Sequence, residues 1–150
     1  LLLVGKNNAY KDTLKILCKK NRIEKNIFWS DLMTGDLKWG TILASSGMVL
    51  SSHGENFGVS LVESLCCSKP VLTTNKVNIY EEIIKYDAGL VSKNTVSDFT
   101  KILEKFHKFD DRRIKIMSRN SLICFNKKFN MISKNNKFST FLKKQHIGTL

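Results

Sequence analysis

The chain has 150 residues, 42% of them hydrophobic, which is the size and composition of one ordinary domain with a core of its own. Lys and Arg total 25 against 13 Asp and Glu, so the formal net charge is +12. No run of about 18 apolar residues occurs, which argues against a transmembrane helix, and the opening LLLVG lacks the basic region and cleavage site of a signal peptide. We therefore expect a cytoplasmic domain whose four cysteines, without metal-ligand spacing, are reduced thiols.

Short apolar segments alternate with helical patterns up to about residue 92. This order predicts an α/β fold, a Rossmann-like parallel sheet with helices on both faces. The third predicted strand is expected at the buried centre of the sheet and the fifth at an edge. The predicted strands are residues 1–4, 27–29, 48–50, 71–73 and 90–91.

Helices are predicted between these strands. The first covers residues 10–20, where apolar residues recur at i, i+3 and i+4. The second repeats this spacing after an N-cap at Asp36. A short helix that carries Ile83 and Ile84 is expected to stop at Gly89, a residue that often ends helices.

From Thr95 onward the pattern is helical throughout. Phe99 and Phe106 belong to one helix, and Asp110-Asp111 signals the start of the next. We expect one domain over residues 1–150, with a Rossmann-like core at about 1–92 and closing helices at about 95–145. The apolar residues expected to face the core in the last two helices are Ile114, Met117, Leu122 and Phe125, then Phe138, Phe141 and Leu142.

The segment from Ser51 to Val71, SSHGENFGVSLVESLCCSKPV, has the pattern of a binding site. A Gly-containing turn that holds Glu55 leads from an apolar strand into a helix that carries Glu63. The first N–H groups of such a helix lack intrahelical acceptors and lie at the positive end of its dipole, so anions and hydroxyls bind there. Helical side chains lean toward the N-terminus, which directs Glu63 to the same turn. The candidate backbone donors are Asn56, Phe57, Gly58, Val59 and Ser60.

The two glutamates are separated by seven residues, with Phe57 and Gly58 after the first and Pro70-Val71 after the helix. This pattern resembles the Glu-x7-Glu signature of the GT-B glycosyltransferases of family 4, or group 1. Other segments resemble the same family's nucleotide-sugar domain over about residues 1–92, and more loosely to about residue 145. They are LLLVG, NIFWSDL, SSGMVLSSH and EEIIKYDAGLV.

The resemblance implies a donor-binding, C-terminal half of a GT-B enzyme that transfers a sugar from a nucleoside diphosphate sugar, with retention and without a metal or cofactor. Glu55 would be the catalytic-site carboxylate that contacts the donor sugar, and Glu63 would bind the ribose. Residues Trp29, Ser30 and Leu32 would border the base pocket. The acceptor would be a sugar or a lipid-linked saccharide.

The resemblance also implies that the sequence is a fragment. The family's acceptor domain is absent, as is the βα unit whose Arg and Lys grip the donor pyrophosphate. A non-catalytic nucleotide- or sugar-binding fragment, or a decayed transferase, is therefore the alternative to an active enzyme. Ser68 stands where the family usually has Gly, at the end of a helix. Serine makes this turn less stable than glycine does, by about 1 kcal/mol of conformational free energy.

Some residues have other uses that stay open. His53 can shuttle protons, pack against the strand end or face solvent, Trp29 can fill the core, and Lys6 can reach a phosphate. The basic C-terminal third contains several Phe residues, but these have core spacing, so nucleic-acid binding is not expected. Peripheral contact with the anionic cytoplasmic face of a membrane is the alternative use of the positive charge.

Overall fold

The structure is a computed structural model that describes residues 1–130. This part of the chain forms two compact units, which are Leu1–Thr41 and the residues from Ile42 onward. The predicted last helix, with Phe138, Phe141 and Leu142, lies outside the described residues. No helix within residues 1–130 is long and apolar enough to cross a membrane.

The first unit is built around two parallel strands, β1 (Leu2–Val4) and β2 (Phe28–Ser30). Helix α1 (Ala9–Lys20) connects them through a short 3-10 turn, and the Asn8 side chain caps it by accepting a hydrogen bond from Lys11 N at 2.8 Å. Helix α2 covers Gly35–Ala44. Its first residue, Gly35, precedes the predicted N-cap, so Asp36 lies in the first turn of the helix and not at the N-cap.

The second unit has three parallel strands in the order β3-β4-β5. All four residues of β4 are buried, whereas those of β3 are half-buried and pair only with β4 among the described residues. The prediction that the third strand is central is therefore wrong for this sheet, although β5 is an edge strand as predicted. The elements are β3 (Met48–Leu50), α3 (Val59–Cys66), β4 (Val71–Thr74), α4 (Tyr80–Lys85), β5 (Gly89–Ser92), α5 (Val96–His107) and α6 (Asp111–Lys128).

The core of this unit lies between its sheet and helices α3 and α6. Leu61 and Leu65 of α3 are fully buried and pack in one cluster with Cys124 of α6. The predicted apolar face of α6 is only partly right, because Leu122 is 39% exposed. Ser121 is buried in its place, since its hydroxyl has the carbonyl oxygens of Ala88 (3.1 Å) and Met117 (2.9 Å) as acceptors. Asp110 caps the start of α6, as the sequence predicts.

Gly89 does not end a helix, contrary to the prediction. Helix α4 ends at Lys85, and the turn that follows is made by Asp87, whose φ is 51°. Gly89 is the first residue of β5, where a Cβ atom would lie 1.9 Å from the Val71 carbonyl oxygen. The glycine is required for close strand packing.

Candidate functional site

Glu55 lies in the turn between β3 and α3, with an exposed side chain. Its main chain forms an isolated parallel bridge with Val77. Glu55 N donates to Lys76 O at 3.0 Å, and Asn78 N donates to Glu55 O at 3.1 Å. The main chain of Glu55 is thus held against the loop that follows β4. Its exposed carboxylate accepts a long hydrogen bond, 3.4 Å, from Phe57 N.

Gly58 sets the entry into helix α3. It has a left-handed backbone, with φ 64° and ψ 58°, and it is the N-cap without a side-chain hydrogen bond. A Cβ atom there would lie 2.9 Å from Val77 Cγ1. The Gly58 carbonyl accepts from Leu61 N (2.9 Å) and Val62 N (3.2 Å), so the N–H groups of the two preceding residues have no intrahelical acceptor. These are the amides of Val59 and Ser60, which the sequence analysis identified as donors.

Glu63 lies just over one helical turn after Gly58 and is half-buried. Leu61 and Leu65 beside it are fully buried. Val59, one turn before Glu63, is 60% exposed. Glu63 is the fifth of the eight residues of α3, and helical side chains lean toward the N-terminus of their helix.

Two buried threonines support this turn through hydroxyl hydrogen bonds that the sequence did not predict. Thr73 is 0% exposed and donates to Leu50 O at 2.9 Å, within the strands. Thr74 is 1% exposed and donates to Ser52 O at 2.8 Å, in the loop that leads to Glu55. Threonine is common in β-strands, so its presence in an apolar strand does not indicate that its hydroxyl forms such a bond.

The residues predicted for the base pocket lie in or just after β2 of the first unit: Trp29 is its middle residue, Ser30 its last, and Leu32 follows. Trp29 and Ser30 are half-buried, and Leu32 is 59% exposed. Trp29 lines a cavity of about 210 Å³ together with residues that follow β1, among them Lys6, whereas Ser30 and Leu32 do not line it. This cavity brings Trp29 and Lys6 together.

Lys11 is a third residue whose structural role the sequence did not predict. It is 9% exposed, and its ammonium group donates to Ser30 O at 3.0 Å and Gly5 O at 3.3 Å. Asp31 lies 3.8 Å from the same nitrogen. Lys11 therefore links the carboxyl ends of β1 and β2, although a lysine on a helix usually indicates an exposed face.

His53 and the cysteines lie outside the two-glutamate pattern. His53 is exposed, and its Nδ1 is 2.8 Å from the side-chain nitrogen of Asn94. Burial raises the pKa of Cys124 to about 11, and the Glu82 carboxylate adds to the rise. Cys18, Cys66, Cys67 and Cys124 are free. Within residues 1–130, no group of three or more His, Cys, Asp or Glu side chains is arranged to hold a metal ion.

The family model "Glycosyl transferases group 1" matches residues 1–121. The chain belongs to this family. A serotype-specific mannosyltransferase of Escherichia coli, WbdA, is 27% identical to the group 1 chain over 110 residues, which is 71% of the chain and 13% of WbdA. The family assignment confirms the resemblance that the Glu-x7-Glu pattern indicated.

Solved structures show the same fold for this group 1 chain. Sucrose-phosphate synthase from Thermosynechococcus elongatus is similar over 99% of the chain and 39% of its own length, with a TM-score of 0.80 at 15% identity. Anabaena Alr3699/HepE in complex with UDP is similar over 95% of the chain and 40% of its own length, with a TM-score of 0.79 at 17% identity. The predicted α/β class, parallel sheets flanked by helices as in GT-B glycosyltransferases, is confirmed. The chain spans only a minor part of each of these relatives.

Proposed function

We propose that this chain binds the nucleoside diphosphate sugar donor of a glycosyltransferase. The observation that carries the proposal is the start of α3, where Gly58 leaves two backbone N–H groups without intrahelical acceptors and a glutamate stands on either side of it. Such a helix start binds anions. The group 1 family assignment supports the same function.

Each glutamate has a distinct role in the proposal. The exposed Glu55 carboxylate accepts hydrogen bonds from hydroxyls of the donor sugar, next to the reacting carbon. Glu63, just over one turn into the helix, accepts from the vicinal ribose hydroxyls, because a carboxylate offers two oxygens to a diol. The N–H groups from Asn56 to Ser60 donate to the ligand and stabilise the charge that grows on the leaving diphosphate.

The base of the nucleotide is proposed to bind in the first unit at Trp29, Ser30 and Leu32. Trp29 is half-buried in β2, and the exposed residue Leu32 follows the end of this strand. Ligands of open α/β sheets bind beyond the carboxyl ends of the strands, and Ser30 and Leu32 lie at that end of β2. Lys11 holds the Ser30 carbonyl in this segment.

The donor and acceptor are proposed from relatives. HepE, a similar fold, was solved with UDP and UDP-glucose, and WbdA is named a mannosyltransferase, so a nucleoside diphosphate hexose is the proposed donor. A saccharide, free or lipid-linked, is the proposed acceptor.

The transfer is proposed to retain the configuration of the sugar and to need no metal ion. Retention is tested by proton NMR of the product anomer, and metal independence by measuring transfer in the presence of EDTA.

Binding is tested by isothermal titration of the chain with UDP, GDP, ADP and their hexose derivatives. One nucleotide should bind, and Glu63→Gln should weaken it by at least about tenfold, since a hydrogen bond to a charged group contributes about 1.5–3 kcal/mol. Glu104→Gln, which removes the same charge from exposed Glu104 on α5, is the matched control and should bind like wild type. Absence of binding by every nucleotide, or equal weakening in both variants, would contradict the proposal.

Peripheral contact with an anionic membrane surface is part of the proposal. The formal net charge is +12, and the basic residues Arg112, Lys115, Arg119 and Lys127 of α6 are exposed. Each Lys or Arg near an anionic membrane surface contributes about 1 kcal/mol to the free energy of binding to that surface. The chain should therefore sediment with vesicles that contain anionic lipid at low salt, but not with zwitterionic vesicles or at about 0.5 M salt, where screening is strong.

A further inference from the structure

Thr74 ends β4 and joins the two loops that surround the Glu55 turn. Its side chain is 1% exposed. The hydroxyl donates to Ser52 O at 2.8 Å, in the loop that leads to Glu55, and accepts from Lys76 N at 3.3 Å, in the loop that follows β4. One buried hydroxyl therefore fixes both loops at their bases.

The same two loops are joined again further out. Lys76 O accepts from Glu55 N at 3.0 Å, and Glu55 O accepts from Asn78 N at 3.1 Å. Val77, between these residues, is fully buried and packs against the backbone of Gly58. The loop after β4 thus holds the main chain of Glu55 in position. The Thr74 hydroxyl, in turn, holds the beginning of that loop through its hydrogen bond with Lys76 N.

We propose that Thr74 is a positioning residue that holds the Glu55 turn in the geometry needed to bind the donor sugar. The inference rests on the proposed function, in which the Glu55 carboxylate contacts that sugar. Thr74 does not touch the ligand in this account. It acts through Ser52 and Lys76, whose backbone groups lose their partner when the hydroxyl is removed.

Thr73 provides a matched comparison. It is the neighbouring residue, it is equally buried, and its hydroxyl also donates to a carbonyl on the β3 side, at 2.9 Å. Its acceptor, Leu50 O, belongs to strand β3, where strand pairing already holds the backbone. Thr73→Val and Thr74→Val therefore remove equivalent hydroxyls at nearly constant volume, but only Thr74→Val releases the loops.

The first experiment needs no ligand. Amide hydrogen exchange is measured by NMR at Glu55 and Asn78 in the wild-type chain and in Thr73→Val, Thr74→Val and Thr74→Ser. We expect both amides to exchange about tenfold faster in Thr74→Val, as the loss of one buried hydrogen bond implies, and to return toward wild type in Thr74→Ser. Unchanged exchange in Thr74→Val, or an equal rise in Thr73→Val, would overturn the proposal.

The second experiment measures the ratio of the Kd of the nucleoside diphosphate to the Kd of its sugar derivative. We expect this ratio to fall about three- to tenfold in Thr74→Val and in Glu55→Gln, because the derivative loses its sugar contact and the nucleoside diphosphate has none to lose. A ratio that stays at the wild-type value in Thr74→Val would overturn the claim that Thr74 positions the Glu55 turn for binding of the donor sugar. If the wild-type chain binds neither ligand, the proposed function fails, whereas the exchange result still decides whether Thr74 holds the turn.

Discussion

The phenyl rings of Phe57 and Phe129 meet edge to face, with centroids 5.9 Å apart and planes at 83°. Phe57 belongs to the turn that holds Glu55, and Phe129 is the residue that follows the last turn of α6. Helix α6 is held to the core by Met117 and Cys124, which are fully buried. The ring contact therefore links the turn that holds Glu55 to a helix that is anchored in the hydrophobic core.

This ring contact should appear as a coupling energy. Phe57→Leu and Phe129→Leu keep most of the apolar burial but lose the aromatic pair, which contributes about 0.5–1.5 kcal/mol. A double-mutant cycle of unfolding free energies in urea should return a coupling of that size. Phe57→Leu combined with Phe106→Leu, whose ring pairs with Phe109, is the control and should be additive. Additivity in both cycles would show that the Phe57–Phe129 contact contributes nothing.

The turn before β5 should make stability depend on pH. The Arg113 guanidinium donates to both carboxylate oxygens of Asp87, one at 2.6 Å, and these bonds hold the pKa of Asp87 below its usual value. Because the folded pKa is below the unfolded one, the stabilisation is present above the unfolded pKa and is lost as the pH falls through the folded pKa. Both side chains are partly exposed, so solvent screening limits the effect to about 1 kcal/mol.

Asp87→Asn tests this pH dependence, and asparagine also tolerates the left-handed backbone at this position. The difference in unfolding free energy between wild type and Asp87→Asn should be about 1 kcal/mol at neutral pH. It should shrink as the pH falls through the lowered pKa of Asp87. Arg113→Gln should show the same trend, and the two substitutions should not add. A difference that is constant with pH would contradict the ion-pair explanation.

Ser68 should be a site where glycine stabilises the chain. Its φ of 59° places it in the left-handed region, just after the end of α3. A non-glycine residue there costs about 1 kcal/mol, partly offset by the greater unfolded freedom of glycine. Ser68→Gly should therefore raise Tm, while Ser118→Gly, inside α6, should lower it. A lower Tm for Ser68→Gly would contradict the strain that the backbone angle implies.

Gly58→Ala should have the opposite effect. The backbone has φ 64°, and the added Cβ would lie 2.9 Å from Val77 Cγ1. The left-handed conformation alone costs about 1–2 kcal/mol, so the loss of stability in urea should be at least that large. Gly54→Ala, where a Cβ would meet nothing within 4 Å, is the control in the same loop. Equal stability of the two variants would mean that the turn can rearrange.

The order of strands and helices could be predicted because it depends on local periodicity and end signals. Asp110 is an example, since a helix cap needs only its own neighbours. The central place of β4 and the role of Gly89 could not be predicted, because both depend on which strands become neighbours.

The Glu-x7-Glu segment could be predicted as the candidate site, because its turn and helix start are continuous in sequence. The residues that support it could not. Thr74 bonds to a carbonyl that is 22 residues away, and Lys11 bonds to one that is 19 residues away. Neither residue type indicates such a partner, since threonine is common in strands and lysine in exposed helix faces. Contacts at that separation become visible only in the folded chain.

Donor binding at the start of α3 is measured most directly by a two-dimensional amide NMR titration of this chain with UDP, GDP or ADP. We expect one nucleotide to shift the amide signals of residues 56–60 and of residues 29–32, and Glu63→Gln to weaken these shifts greatly. Signals from α5 should stay in place. Binding that shifts other amides while those of residues 56–60 remain unchanged, or the absence of any shift, would show that the nucleotide does not bind at this helix start.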